Sequence, residues 1–401
     1  MAVNSMTFEQ SATLLTSLIE MMTGESTIAV TDESDFVAVA TTVLQQGYDQ
    51  LNTAVSQLLT KSIYVSRAYN MIYPSIERDS QEWGGIVRKV TILDVDLMDD
   101  EAFNLTNGQP GANPFITQRQ GAVQFNFYGG NVKELVVTFT EDQLKQAFSS
   151  SADFGSFMAA ASQNLINQIN QKTEAESRAT VNNFIAAVLN QDNDGSGRVI
   201  HLITEYKAAT GNTTITSANY LSNAEFEPFA KWVYGRLNTL KRFMAERSKY
   251  YHREITTYNG VALPHPIVRF TRDEDMNIWL LSEFMDQVNA SALSGIYNEQ
   301  LLEIGSFERV NYWQSIDDPS SIKIEANELL QDGTCQKTAA AVEETGIVGI
   351  LFDRDALGIT VIDEGVRSIE NPRARYFNNF YNWTTRWYND QTQNFVVLVL
   401  D

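Results

Sequence analysis

Cysteine is nearly absent from this chain. Cys335 stands alone among 401 residues, so no internal disulfide can form. Histidine is almost as scarce. His201, His252 and His265 are the only three, and none has a second ligand at a spacing such as HxxxH or HExxH, so no metal set is expected. Positive charge is in short supply: 29 Lys and Arg face 50 Asp and Glu, a net charge of −21. That balance argues against DNA or an anionic membrane as a partner of the whole surface. No apolar run approaches the length of a membrane span. The opening MAVNSMTFEQ has neither the basic flank nor the apolar stretch of a signal peptide. There is no GxSxG, no Walker loop and no GxGxxG. Cys335 has Lys337 nearby, but no general base is indicated for a thiol nucleophile. These absences fit a protein made and kept in a reducing cytoplasm, and equally fit many soluble enzymes.

What is present is core-forming material. Hydrophobic residues at 43% and aromatics at 11% exclude a disordered chain, and the length allows two or three compact units or one large one with extensions. The C-terminal stretch is the most legible. Ile347–Val348–Gly349–Ile350–Leu351–Phe352 reads as a strand buried on both faces. A compact turn follows at 353–358, where Asp353 and Asp355 are better explained as turn caps than as an acid/base pair. Ile359 to Ile362 is apolar again, and Asn371–Pro372 marks a second turn. From Tyr376 to Tyr388 a long strand is expected, with Phe377, Tyr381, Trp383 and Trp387 on one face and Tyr376, Phe380 and Tyr388 on the other. Arg373, Arg375 and Arg386 among these aromatics could form a single-strand nucleic-acid platform. The acidity of the chain favours core packing instead. A polar turn, Asp390 to Asn394, leads into a last apolar strand, Phe395 to Leu400, which ties that end into a core sheet.

Upstream, Phe8, Leu14, Leu15, Leu18 and Met22 predict one amphipathic helix, closed by Gly24. Val43, Leu44, Tyr48, Leu51, Val55, Leu58 and Leu59 predict a second. Ile86 to Leu97 reads as a long strand and Val123 to Tyr128 as another. Gly129–Gly130–Asn131 is a turn or bulge, after which Val132 to Phe139 resumes the strand. Between the first two lies Met98 to Gln120, acidic and then rich in Asn, Gly and Pro. A hairpin loop of about twenty residues is unusual in a compact domain, and such loops tend to carry function. Thr140 and Gln143 make a capping-box pattern, and Asp153 is a cap candidate for a longer helix. In that helix Phe154, Met158, Ala161, Leu165, Ile169, Val181, Phe184, Ile185 and Val188 form an apolar stripe. Asp192 to Gly197 looks like a calcium-loop fragment, but Gly195 comes too early and the twelfth position is Ile203, so a turn into a strand Arg198 to Tyr206 is expected. A helix is predicted from Phe226 to Met244, with Lys231, Arg236, Lys241, Arg242 and Arg247 on or beside it as a solvated face or, less simply, a contact to nucleic acid or to an acidic neighbour. A short strand is predicted at Ile267 to Phe270, a helix at Met276 to Met285, and loop and strand from Leu301 to Trp313.

The C-terminal segment "GIVGILFDRDALGITVIDEGVRSIENPRARYFNNFYNWTTRWYNDQTQNFVVLVLD" resembles the corresponding end of major capsid proteins of tailed bacteriophages, those of small short-tailed phages in particular. The marks are "FDRDALGI", the "NP" turn, "YFNNFYN" and the final "NFVVLVL". The resemblance implies an α+β, HK97-like capsid fold. Its parts would be an N-terminal helical arm (1–85), an extended β-hairpin loop (86–139), a long spine helix with the peripheral domain (140–223), an axial-domain insertion (224–346) and C-terminal strands returning to the core (347–401). It implies a self-assembling structural subunit of the icosahedral head shell, without catalytic, cofactor or metal residues, residing in the virion after synthesis in the bacterial host cytoplasm. The implied partners are copies of itself as pentamers and hexamers, scaffold, portal and other head proteins, and an enclosed double-stranded DNA bound without sequence specificity; no membrane is implied. Two alternatives stand beside this reading: an encapsulin-like compartment shell, which shares the fold, and, from another class, a soluble ligand-binding protein.

Overall fold

The computed structural model describes residues 12, 13, 16, 74–76, 78, 87–95, 115, 117, 119–140, 151–222, 225–292, 307–371 and 373–401. The first N-terminal stripe (Phe8, Leu14, Leu15, Leu18 and Met22), Gly24, the second stripe (43–59), Gln143, residues 301–306 and most of the 98–120 loop lie outside these residues. The chain divides into two units, one made of 1–83, 129–176 and 359–386, the other of 84–128, 177–358 and 387–401.

The first unit holds a three-stranded sheet. Its order is β14 (Leu357–Asn371), β15 (Tyr376–Asn389), β3 (Gly130–Thr140), and β15 runs antiparallel to β3 from Tyr376↔Thr140 to Arg386↔Gly130. The long strand expected at 376–388 is thus present, and Arg375 takes φ 52° in the turn before it. On its inner face Asn379, Tyr381, Trp383 and Thr385 are buried in strict alternation, the period of a pleated strand with one covered face. Tyr381 packs with Leu135, Val137 and Val366 against Leu165 of α1 (Ser151–Leu189), and Lys133 reaches Glu176 of the same helix at 2.9 Å. The long helix is real, and it starts two residues before Asp153. That residue is therefore not its cap.

The second unit is layered. A five-stranded sheet runs in the order β4 (Val199–His201), β16 (Phe395–Val399), β13 (Ile347–Asp353), β7 (Met276–Leu281), β8 (Phe307–Val310). β13 and β16 are buried along their whole length, as an apolar run without alternation requires. One face packs Val396, Leu398, Leu351, Ile278 and Leu280 against α2 (Leu202–Thr210), α3 (Phe226–Ala245) and α4 (Ser282–Ala292). On the other, Phe395 stacks on Phe184 of α1 with ring centres 3.9 Å apart, and Phe352 stands between Phe395 and Trp279. At Gly349 the β13–β16 register slips, and a Cβ there would lie 2.6 Å from the Trp279 carbonyl oxygen of β7. Only glycine allows that approach of two strands.

Several expectations change. Met276 to Leu281 is a strand, not the start of a helix; MNIWLL is buried on both faces, and a short apolar run of that kind carries no period that separates strand from helix. The helix begins only at Ser282. Arg198 to Tyr206 is mostly not strand: β4 stops at His201, and α2 follows, closed by Gly211 at φ 74°. Residues 267–270 make one isolated bridge, Ser248↔Arg269, and no strand, while Val310 ends β8 rather than beginning a strand to Trp313. In the hairpin, β1 covers Val87–Ile92, shorter than 86–97, and pairs with β2 (Ala122–Phe127). β3 does not extend that pair; it joins the other sheet beside β15.

Candidate functional site at the seat of the hairpin

The alternation of β1 decides what it touches. Val90 and Ile92 point outward and are 60% and 64% exposed, while Lys89, Thr91 and Leu93 point inward. Each inward residue is held by a different chemistry. Leu93 joins Val123, Ile255, Ile267 and Leu329 in a small apolar cluster. The Thr91 hydroxyl accepts a hydrogen bond from Nη2 of Arg269 at 2.8 Å. Lys89 places its ammonium 3.3 Å from the Asp390 carboxylate and 4.5 Å over the Tyr388 ring, and donates to the Asp355 carbonyl oxygen. At the rim, Asp94 accepts two hydrogen bonds from Arg247, at 2.6 and 2.8 Å.

The receiving side is the turn at 390–394. A run of Asp, Gln, Thr, Gln and Asn reads as a solvated turn, yet Asp390, Gln391, Thr392 and Asn394 are all buried. Burial of polar groups is tolerated when they are satisfied, and here only the Oδ1 of Asn394 is left without a partner among the described residues. Asp390 accepts from the Thr392 amide and hydroxyl as well as pairing with Lys89. Gln391 accepts from the Leu329 amide and donates to the Asn327 carbonyl. Thr392 offers its carbonyl and hydroxyl oxygens to Arg269 at 2.8 and 3.1 Å, and Asn394 donates to Thr271 and to the Met244 carbonyl. Burial pushes the Arg269 guanidinium below its ordinary value, a pull that Asp390 and Asp353 oppose. The second hairpin strand has its own brace. Asn259–Gly260 turns β5 (Thr257–Tyr258) into β6 (Val261–Ala262) with Asn259 at φ 49° and Gly260 at φ 76°, which sets Tyr258 edge-on to Phe125 with its hydroxyl donating to the Gln124 carbonyl. Along the open edge of β1 runs a groove of about 560 Å³ whose far wall is 266–270.

The residues singled out in the sequence do not assemble into a catalytic set. His201 faces Asp192 at 3.1 Å, His252 is fully buried 3.0 Å from the Tyr250 carbonyl and 2.9 Å from that of Ile267, and His265 lies in the loop before Pro266. No group of three or more His, Cys, Asp or Glu among the described residues could hold a metal ion. The 192–197 turn is closed by its own salt bridges: Asp194 binds Arg198 at 2.6 Å and Arg253 at 2.8 Å. Burial would raise that carboxyl, but Arg198 and the Ser196 donors outweigh it and hold it low. The Cys335 thiol is pushed up by desolvation and then by Asp390, the reverse of activation. Asp353 acts as the turn cap expected, accepting from the Asp355 amide and from Thr271, while Asp355 contributes backbone groups; burial raises the Asp353 carboxyl. On α3, Lys231 pairs with Glu227, Arg236 with Glu205 and Lys241 with Asp273. The 390–394 network was not foreseen. Its signal was faint, a polar run between two buried strands; the Asn259–Gly260 turn was a plainer one.

This mixed fold with a long helix resembles that of phage capsid structures and is consistent with the HK97-like fold. A chain in the structure described as head fiber and inner core protein gp22 of native bacteriophage P68 is similar to this one at TM-score 0.50 and 11% identity, over 83% of this chain and 84% of that one. A chain in the capsid structure of Staphylococcus phage Andhra is similar at TM-score 0.49, also with 11% identity and the same coverage. No curated protein matches. The chain belongs to the Phi29-like phage major capsid protein family, whose model matches residues 15–399. It is a head-shell subunit of a bacteriophage and its place is the virion. That membership decides for the phage head over the compartment-shell and ligand-binding readings.

Proposed function

We propose that copies of this chain close into an icosahedral shell of pentamers and hexamers around double-stranded DNA, with scaffold, portal and other head proteins as partners and without catalysis. In this reading 1–85 is a helical arm, 86–139 the extended hairpin loop, 140–223 the spine and peripheral domain, 224–346 the axial insertion and 347–401 the returning core strands. The observation that carries it is the outer face of the hairpin. Val90 and Ile92 are open to solvent although the inner face of the same strand is firmly seated. A strand that buries one face and leaves β-branched residues on the other offers that second face to another surface. The hairpin, with its 98–120 loop, is the part we assign to contacts with a neighbouring subunit.

Charge sets the conditions. At −21 per subunit, copies repel until screened, and the Debye length shrinks from about 30 Å at 0.01 M salt to about 10 Å at 0.1 M. The test is light scattering with negative-stain microscopy across that range, with scaffold present. Closed particles, favoured by moderate salt or divalent cations, are expected. Monomers alone under every condition would contradict the proposal, and assembly fastest at the lowest ionic strength would contradict its charge argument.

A further inference from the structure

The inner face of β1 is held at two ends by unlike means. Leu93, at the end nearer the 98–120 loop, rests in an apolar cluster, which resists separation but not pivoting, because burial is non-directional. Lys89, four residues behind it and about 13 Å away along a strand, is held by directed contacts. A carboxylate, a carbonyl oxygen and a ring face surround one ammonium, and the carboxylate, on Asp390, is only 2% exposed. Thr91, between them, adds one hydrogen bond from Arg269. None of the acceptors around Lys89 belongs to the hairpin: Asp355 sits in the turn after β13, and Tyr388 and Asp390 precede β16. Along the open edge of β1 lies a groove that, among the described residues, is walled by Arg247, 266–270, Asp355 and Gln393.

We propose that Lys89 is the positioning residue of the hairpin: with Leu93 as fulcrum, the Lys89–Asp390 clasp sets the angle at which the 87–127 ladder leaves its unit, and through that angle the curvature of the assembled shell. The inference rests on the reading that the hairpin acts between subunits. An ammonium is a compact donor with three N–H groups, suited to three acceptors converging from different directions, whereas a guanidinium presents a planar fork. Because Asp390 is buried, the clasp is screened by salt far less than a surface pair is. It therefore holds under the salt at which the subunits meet.

The experiment compares full-length chains under conditions in which the wild type forms shells. Lys89→Met with Asp390→Asn removes both charges of the clasp together, so neither partner is left as an unpaired ion, and Asp353 still faces Arg269. The expected result is wild-type melting, faster amide exchange in β1, and shell formation slowed about tenfold or giving particles of irregular diameter. Particles of wild-type rate and uniform diameter would overturn the proposal. Lys89→Arg, which keeps the charge but moves the donors, guards against a double variant that does not fold. It should melt normally and still give irregular diameters, and regular ones would overturn the proposal. A third chain, with 100–117 replaced by a short Gly-Ser turn, separates the two levels. If it assembles normally, the role of the hairpin between subunits fails. If it alone is impaired, only the assignment to Lys89 fails.

Discussion

The five-stranded sheet and the two-stranded hairpin lie in one unit and obey opposite rules. In β13 and β16 every residue is buried, and the aromatic column Phe184–Phe395–Phe352–Trp279 fills one side. In β1 burial alternates, and the inward residues are attached largely by charge and hydrogen bonds rather than by volume. β13 and β16 have used all of their surface on their own unit. The hairpin has kept half of its surface free. On the proposed reading, stability belongs to the first region and encounter with other copies to the second, and changes in the two should separate on those measurements.

Phe395→Ala should have the largest effect on melting, about 3–5 kcal/mol by denaturant titration, since it removes a ring stacked on both sides in a fully buried strand. A loss below about 1 kcal/mol would mean that the sheet is not the seat of stability. Gly349→Ala comes next, at about 1–3 kcal/mol, because the new methyl meets the Trp279 carbonyl and Leu280 and the strands must part. His252 gives a smaller, pH-dependent effect. Burial depresses its folded value, against which its two carbonyl neighbours push up and Arg269 and Arg198 push down. The unfolded chain, titrating near about 6.5, then binds a proton that the folded chain refuses. The His252 contribution is complete above that pH and is lost as the pH falls towards the depressed folded value. Melting temperatures from pH 8 to 5 should fall more steeply in the wild type than in His252→Gln, and parallel curves would contradict the assignment. Arg247→Ala should cost least, about 0–1 kcal/mol, because its partner Asp94 is a surface carboxylate. A large loss there would make the hairpin rim part of the core.

The same contrast explains what the sequence disclosed. Ile347 to Phe352, the strand from Tyr376 and the final apolar run are legible because burial on one or two faces writes itself directly into residue type. So does the long helix, through the stripe that includes Leu165, Phe184 and Val188. Met276 to Leu281 was misread because a doubly buried strand of six residues has no face to mark. The seat of the hairpin was hidden for another reason. Lys89, Arg269, Asp390 and Thr392 are far apart in the chain, and polar residues announce exposure unless their partners are known. Asp390 to Asn394 looks like a solvated turn in sequence, and only the fold turns it into the buried receiver of a distant lysine.

The central claim is that the hairpin serves assembly and not the stability of its own unit, and shortening it tests this most directly. Loop closure entropy changes slowly with length, so a chain in which 100–117 is replaced by a short Gly-Ser turn should fold, stay soluble and melt within the error of the wild type. Shell formation followed by light scattering should be lost or strongly weakened, since even about 1–2 kcal/mol per contact is roughly five- to thirtyfold in each association step. A variant that unfolds, or one that forms shells at the wild-type rate, would contradict the account.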